Sequence, residues 1–290
     1  MATFDSRGTR RLTPFWSGLA IVAGLYLAFL IALIVSTAKF TTPLQIWAAL
    51  NTQEIRYSIF LSLITCTVSS LFALLLAVPV GYLLSRGRFK CKSLLDAALD
   101  IPIVLPPMVV GLCLLIFFSR TSTGHWLDEG IPDAMRKMGL DVWLTGKAFP
   151  LHTKMFTYTV LGVVLAQFVI GTAFAVRTMR GVFDHLSSRP EDVAMTLGCS
   201  RGQAVRMVTL PAARRGMFAA FSIAWARSLG EFGPILVFAG STRMKTEVLS
   251  TTVFLELSGG RLEAAVAVSL LMVALALAVL VAVRLVGERI

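Results

Sequence analysis

Six stretches of the chain stay apolar over close to the roughly 20 residues that a helix needs to cross hydrocarbon: 15–38, 57–84, 101–118, 156–176, 217–239 and 264–283. Nothing in lipid can satisfy a backbone except its own hydrogen-bond ladder, so runs of this length predict helices. The chain is therefore expected to be all-α, a polytopic membrane bundle of about six spans, occupying 15–290 behind a short tail over 1–14. Arg7, Arg10 and Arg11 precede the first run as they would in a signal peptide. That run is too long for a signal core and lacks an obvious cleavage site, so it is read as an anchor.

Composition agrees with the pattern. The 290 residues are 56% hydrophobic and 15% charged, against about 45–50% and about 25% in ordinary globular chains. Such an excess cannot be hidden in a core of normal size, which argues against a soluble enzyme, a secreted disulfide scaffold and a disordered chain. The net charge of +11 would point to nucleic acid in a soluble protein. Here the charges lie between the apolar runs, so no nucleic-acid partner is expected and lipid is the surrounding medium. Counted by alternating side, 16 Lys and Arg fall on the side of the termini and ten on the other, with Arg227 inside a run. By the positive-inside rule both termini are cytoplasmic, 119–155 is an external loop and 177–216 a cytoplasmic one. Cys66 and Cys113 fall in spans and Cys91 and Cys199 in cytoplasmic loops, so no disulfide is expected. His125, His152 and His185 form no cluster, and CxxC and HExxH are absent, leaving a metal or protease site without support.

The segment 188–211 reads SRPEDVAMTLGCSRGQAVRMVTLP. Ser188 with Glu191 three residues on, and Pro190 in the first turn, predict a capping box. Gly198 ends that helix and Ser200 with Gln203 forms a second box, while Thr209, Leu210 and Pro211 are expected to end the second helix. A loop that merely joins two spans would be polar and mobile. This one carries Val193, Ala194, Leu197, Val205 and Val208, which predicts a rigid helical elbow on which a cytoplasmic partner docks.

The segment resembles the signature loop of bacterial ABC-importer permeases, Glu-Ala-Ala, three residues, Gly, nine residues, Ile-x-Leu-Pro. The matching positions are Asp192, Val193 and Ala194, then Gly198, then Val208, Leu210 and Pro211, with the spacing kept and three residues substituted. The resemblance implies that this loop seats in a groove of an ATP-binding subunit, with Asp192 and Ala194 toward the groove. A phosphate-cradling GxxxxGK[ST] is missing: Gly146 and Lys147 are followed by Ala148. The chain is thus expected to hold no cofactor and not to be an enzyme, with ATP and Mg on a separate ATPase dimer.

Arg227 and Glu231 lie inside the fifth run, four residues apart on one helix face, where they can pair. They are either a self-compensating pair that fixes packing or a polar lining of a route, with Pro234 breaking the helix. The stretch Arg227, Gly230, Glu231, Phe232, Gly233 resembles that of permeases for molybdate, tungstate and sulfate, and so does the third run, IPIVLPPMVVG, with Pro102, Pro106 and Pro107. In such permeases these two spans line the route and form its gate. The resemblance implies a bacterial inner-membrane importer of a tetrahedral oxyanion, a second permease copy, most simply an identical one, and an extracytoplasmic binding protein. The external loop, with Trp126, Trp143, Lys147 and Lys154, is read either as a contact for that protein or as a cover over the bundle. An intramembrane enzyme using Glu231 or His152 lacks a nucleophile and base at matching depth, whereas a scaffold that only recruits a partner stays open.

In a variant whose four native cysteines are replaced, a cysteine at Ser122 should label from outside and one at Ser200 only from inside. The reverse pattern of accessibility would overturn the charge count.

Overall fold

The computed structural model describes residues 14–138 and 153–289, and among these there is no strand. Trp143, Gly146, Lys147, Ala148 and His152 lie outside the described residues. Four helices are long and apolar enough to cross a membrane: α1 (Pro14–Lys39), α3 (Gln53–Arg86), α8 (Val160–His185) and α14 (Leu262–Arg289). Between α1 and α3 lies the short α2 (Pro43–Leu50), started by a Thr42–Gln45 capping box.

The third apolar run is not one helix but two, α4 (Lys92–Val104) and α5 (Pro107–Arg120), bent by 107°. Leu105 and Pro106 adopt extended backbone, because each precedes a proline whose ring excludes the α region. The fifth run is also broken. Helix α11 (Leu210–Leu229) ends at Gly230, and α12 (Gly233–Phe238) restarts the chain. The interruption precedes Pro234, which sits in the first turn of α12, so the proline starts a helix rather than ending one. The short α13 (Leu249–Ser258) follows before α14.

Three helices make the core. Helix α8 runs alongside α3 in the same direction: Gln167 Nε2 lies 3.4 Å from Cys66 Sγ, and Ser85 Oγ donates to Asp184 at 2.6 Å. Helix α11 returns antiparallel, and Gln167 also donates to the Ser228 carbonyl at 3.4 Å. Ala73, Ala77, Ala175, Ala220 and Ala224 are buried where the three meet. Lipid tails are as apolar as Leu, so helices in a membrane associate through close contact, and small residues permit it. Ser69, Ser70 and Ser228 are fully buried in this seam. In contrast, α1 buries none of its spanning stretch and packs on α14, leaving its sides exposed.

The expected external loop is helical in its described part, with α6 (Ser122–His125), a π turn over Trp126–Gly130 and α7 (Ile131–Lys137). Buried Asp128 ties it down by accepting from the Phe156 amide at 2.7 Å and the Thr157 amide at 3.1 Å.

The two breaks touch each other. A Cβ built on Gly111 of α5 would lie 2.7 Å from Pro234 Cα and 2.9 Å from its carbonyl oxygen, and one on Gly233 would lie 3.0 Å from the Met108 amide. Those neighbours are backbone and cannot swing aside. Gly111→Ala should therefore destabilise the protein by about 1–3 kcal/mol, read as a lowered melting temperature in detergent. Gly24→Ala, which meets nothing within 4 Å on α1, should leave it unchanged. Equal melting of the two variants would contradict the contact.

Candidate functional site

The predicted site residues fall into two groups at opposite ends of one continuous helix. The first group forms the elbow. Helix α9 (Arg189–Thr196) holds Asp192 and Val193, both exposed, and half-buried Ala194. Gly198 follows at φ +95°, a left-handed conformation that costs a residue without Cβ nothing. The Ser200–Gln203 box then forms as expected, with the Ser200 amide donating to Gln203 Oε1 at 2.8 Å.

Two expectations fail here. Ser188 caps nothing with its side chain, and Glu191 does not reach back to it. Glu191 turns inward instead, buried, where it accepts from the Tyr82 hydroxyl of α3 and from Thr209 Oγ1 at 3.0 Å. A carboxylate has four acceptor positions, and two hydroxyls from separate elements satisfy it better than one local amide. Secondly, Thr209, Leu210 and Pro211 do not stop the chain. Helix α10 (Arg201–Ala204) passes into a π turn over Val205–Thr209 and on into α11 without a break. Val208 and Leu210 are half-buried there, and Pro211 follows directly after the π turn as the second residue of α11. Val193 and Leu197, one turn apart at the tip of the elbow, stand 56% and 81% exposed. The pair forms an exposed apolar knob next to the Asp192 carboxylate.

The second group lies about 40 Å along that helix at 1.5 Å per residue. Arg227 Nη1 is 2.6 Å from Glu231 Oε1, with side-chain exposures of 34% and 1%. The guanidinium also stands 5.4 Å over the Phe174 ring. Glu231 uses its backbone as well: its carbonyl accepts from Ser250 Oγ at 2.6 Å, which ties the break to α13. Gly230 caps α11, the Phe232 ring packs on Phe254 at 5.3 Å, and Gly233 opens α12 against Met108. The structure thus brings Pro106, Pro107, Gly230, Glu231, Phe232 and Gly233 into one neighbourhood of broken backbone. Pro102 lies apart, inside α4. A guanidinium has five N–H donors and the carboxylate engages one face of it. The Arg227 side chain as a whole is about a third exposed.

Residues 73–290 match the family described as binding-protein-dependent transport system inner membrane component. The chain belongs to this family. Among curated relatives, the sulfate transport system permease protein CysT of Escherichia coli is 30% identical over 287 residues, covering 97% of this chain and 95% of the relative. The molybdenum transport system permease protein ModB of Mycobacterium tuberculosis is 31% identical over 271 residues, 93% of each chain. A solved bacterial alginate ABC transporter, in complex with an alginate-bound periplasmic protein, has a TM-score of 0.69 at 16% identity over 95% of this chain and 94% of that one. The last shows the fold: the bundle is that of an ABC-importer permease, and both groups of site residues lie within the matched span.

Other tethers of this transport component escape sequence reasoning because their partners are remote. Arg180 pairs with Asp96, joining α8 to α4 on the elbow side. On the opposite face, Arg243 pairs with Glu54 and, at 3.0 Å, with Glu256, which also holds Arg261 at 2.6 Å. Burial alone would lower the pKa of Arg243, but the carboxylates Glu54, Glu256 and Glu247 outweigh it and hold the value above the usual one. No local pattern announces such pairs, whose members stand up to 189 residues apart.

Removing Glu191 leaves two hydroxyls without an acceptor, a loss of about 1–3 kcal/mol. Glu191→Ala should speed tryptic cleavage of the elbow at Arg201 and Arg206 about tenfold or more, since each 1.4 kcal/mol of local opening is a factor of ten. Asp192→Ala, on the exposed side, should be cleaved at the parental rate. Indistinguishable rates would mean that Glu191 does not hold the elbow.

Proposed function

We propose that the chain is the permease subunit of an ATP-driven importer for a tetrahedral oxyanion, molybdate or tungstate, and that it works by alternating access. The observation that carries this reading is the unbroken helix from the Ser200 box to Leu229, which joins an apolar docking knob to an arginine at a double backbone break. In this reading the elbow faces the cytoplasm, both termini lie there, and six crossings result when each broken pair counts as one span. An ATPase dimer, carrying ATP and Mg, seats Asp192, Val193, Ala194 and Gly198 in its groove, while Val208, Leu210 and Pro211 stiffen the joint. Closure of that dimer on ATP moves the elbow, and α11 carries the movement to Arg227 and Glu231.

The route then lies beside Pro102, Pro106, Pro107, Arg227, Gly230, Glu231, Phe232 and Gly233. One chain supplies half of it, so a second copy completes it, and a binding protein delivers substrate from the far side. The setting is a bacterial inner membrane. Sulfate is the second reading, favoured by the length over which the Escherichia coli sulfate permease aligns. The dianions share tetrahedral geometry, so discrimination belongs to the binding protein more than to a single arginine.

Two variant sets test the proposal in proteoliposomes holding permease, ATPase and binding protein. Asp192→Arg and Gly198→Pro should insert normally and lose stimulated ATP hydrolysis, the first by reversing charge at the docking face and the second by excluding positive φ. Unchanged stimulation in both would sink the coupling assignment. Arg227→Met combined with Glu231→Gln removes both charges and avoids an uncompensated buried one. This double variant should bind its ATPase yet lose labelled molybdate uptake. Uptake at the parental rate would return the pair to a packing role.

A further inference from the structure

Two cavities meet at the elbow, and they differ in character. One, of about 700 Å³, opens beside the ends of α3 and α9 and carries Arg86, Arg88, Lys92 and Arg201 against Glu191 and Asp192. Glu191 is already held by Tyr82 and Thr209, so the basic side chains prevail there. The Nε of Arg86 is buried without a hydrogen-bond partner, while its Nη2 is committed to the Leu186 carbonyl at 2.5 Å. The second cavity, of about 580 Å³, is apolar, bounded by Val78, Pro79, Leu83, Val205 and Leu210. Tyr82, Arg86, Gly87 and Arg201 line both, so the two form one continuous groove with a cationic head and an apolar tail.

We infer that this groove binds an anionic phospholipid, its phosphate diester among Arg86, Arg88, Lys92 and Arg201 and an acyl chain along Val78 to Leu83. Depth separates this occupant from others. Pro79 lies about 10 Å inward from Arg86 at 1.5 Å per residue, within a helix that crosses the membrane. A lipid has both the charged head and the apolar chain that the two ends of the groove call for, whereas a free anion would leave the apolar cavity uncovered. A basic pocket between membrane helices at the headgroup level has the chemistry for such a lipid. The position matters because the groove wall includes both Tyr82, which holds Glu191, and Val205 in the π turn. A lipid seated there fills the joint between the elbow and α3 and stiffens the transmission of movement into α11. This last consequence rests on the coupling role proposed above, while the binding itself does not.

Native mass spectrometry of the purified permease, titrated with phosphatidylglycerol or phosphatidylcholine, tests the site. Phosphatidylglycerol should be retained about tenfold more tightly than phosphatidylcholine, since its net negative charge meets the basic side chains at the head of the groove. Arg88→Gln with Lys92→Gln, at the rim, should abolish that preference, and Arg88→Lys should keep it. A parental melting temperature in the double variant confirms that it folds. Equal retention of the two lipids by the parental protein, or an undiminished preference in the double variant, would overturn the proposal. Protection of the protein by soluble glycerol phosphate equal to that by the lipid would overturn it in favour of a free-anion site. ATPase stimulation is measured separately in nanodiscs with and without phosphatidylglycerol. Lipid retention without any effect on stimulation would contradict the coupling consequence alone.

Discussion

The arrangement depends on one buried carboxylate. Glu191 draws the Tyr82 hydroxyl from the end of α3 and the Thr209 hydroxyl from the π turn onto a single acceptor group, and so fixes three elements of the elbow relative to each other. Without it, the helix that bears Asp192 and Val193 would hang from the bundle by the Leu186–Ser188 link and the glycine turn. In the coupling proposed above, this is the contact that would deliver a push on the exposed Val193 and Leu197 to the base of α11. Hydrogen bonds to a charged acceptor are stronger than neutral ones, which suits a joint under load.

At the other end of α11 the constraint comes from the surrounding lipid. Backbone that leaves the helical ladder inside a membrane is tolerated only where protein or a watery cavity takes over its polar groups. The breaks at Leu105–Pro106 and at Glu231–Phe232 meet this condition together, since Gly111 and Gly233 let α5 and α12 approach to backbone contact. The Glu231 carbonyl finds Ser250. Neither break stands alone, and in the proposed coupling a shift of α11 reaches both. Arg227 stands near the end of α11, held by Glu231 at 2.6 Å.

Much of this was legible in the sequence, and the failures have physical causes. Four of the apolar runs are spans because length and hydropathy suffice in lipid, where the backbone has no alternative. The bend near Pro106 and the pairing of Arg227 with Glu231 follow from local stereochemistry and spacing. The ends of helices are harder: α8 continues to His185, past Arg177 and Arg180, because Asp100 and Asp96 of α4 meet those arginines. Hydropathy sees charge and ends the span early. Glu191 was misread for the same reason. Its spacing from Ser188 satisfies a capping pattern, but the hydroxyls that win it are 109 and 18 residues distant. The continuity through Thr209 and Leu210 is not legible because Pro211 reads as a terminator, whereas here the chain stays helical through it directly after the π turn over Val205–Thr209.

In the proposed coupling, the elbow and the break move as the two ends of one rigid rod. Spin labels at Gly202 and Ile223, in a cysteine-replaced variant assembled with its ATPase, would stand about 32 Å apart along the helix. Pulsed electron resonance should give the same narrow distance distribution without nucleotide and with ATP bound. A shift or broadening of that distribution on ATP binding would place the flexing inside the π turn over Val205–Thr209 and contradict the account.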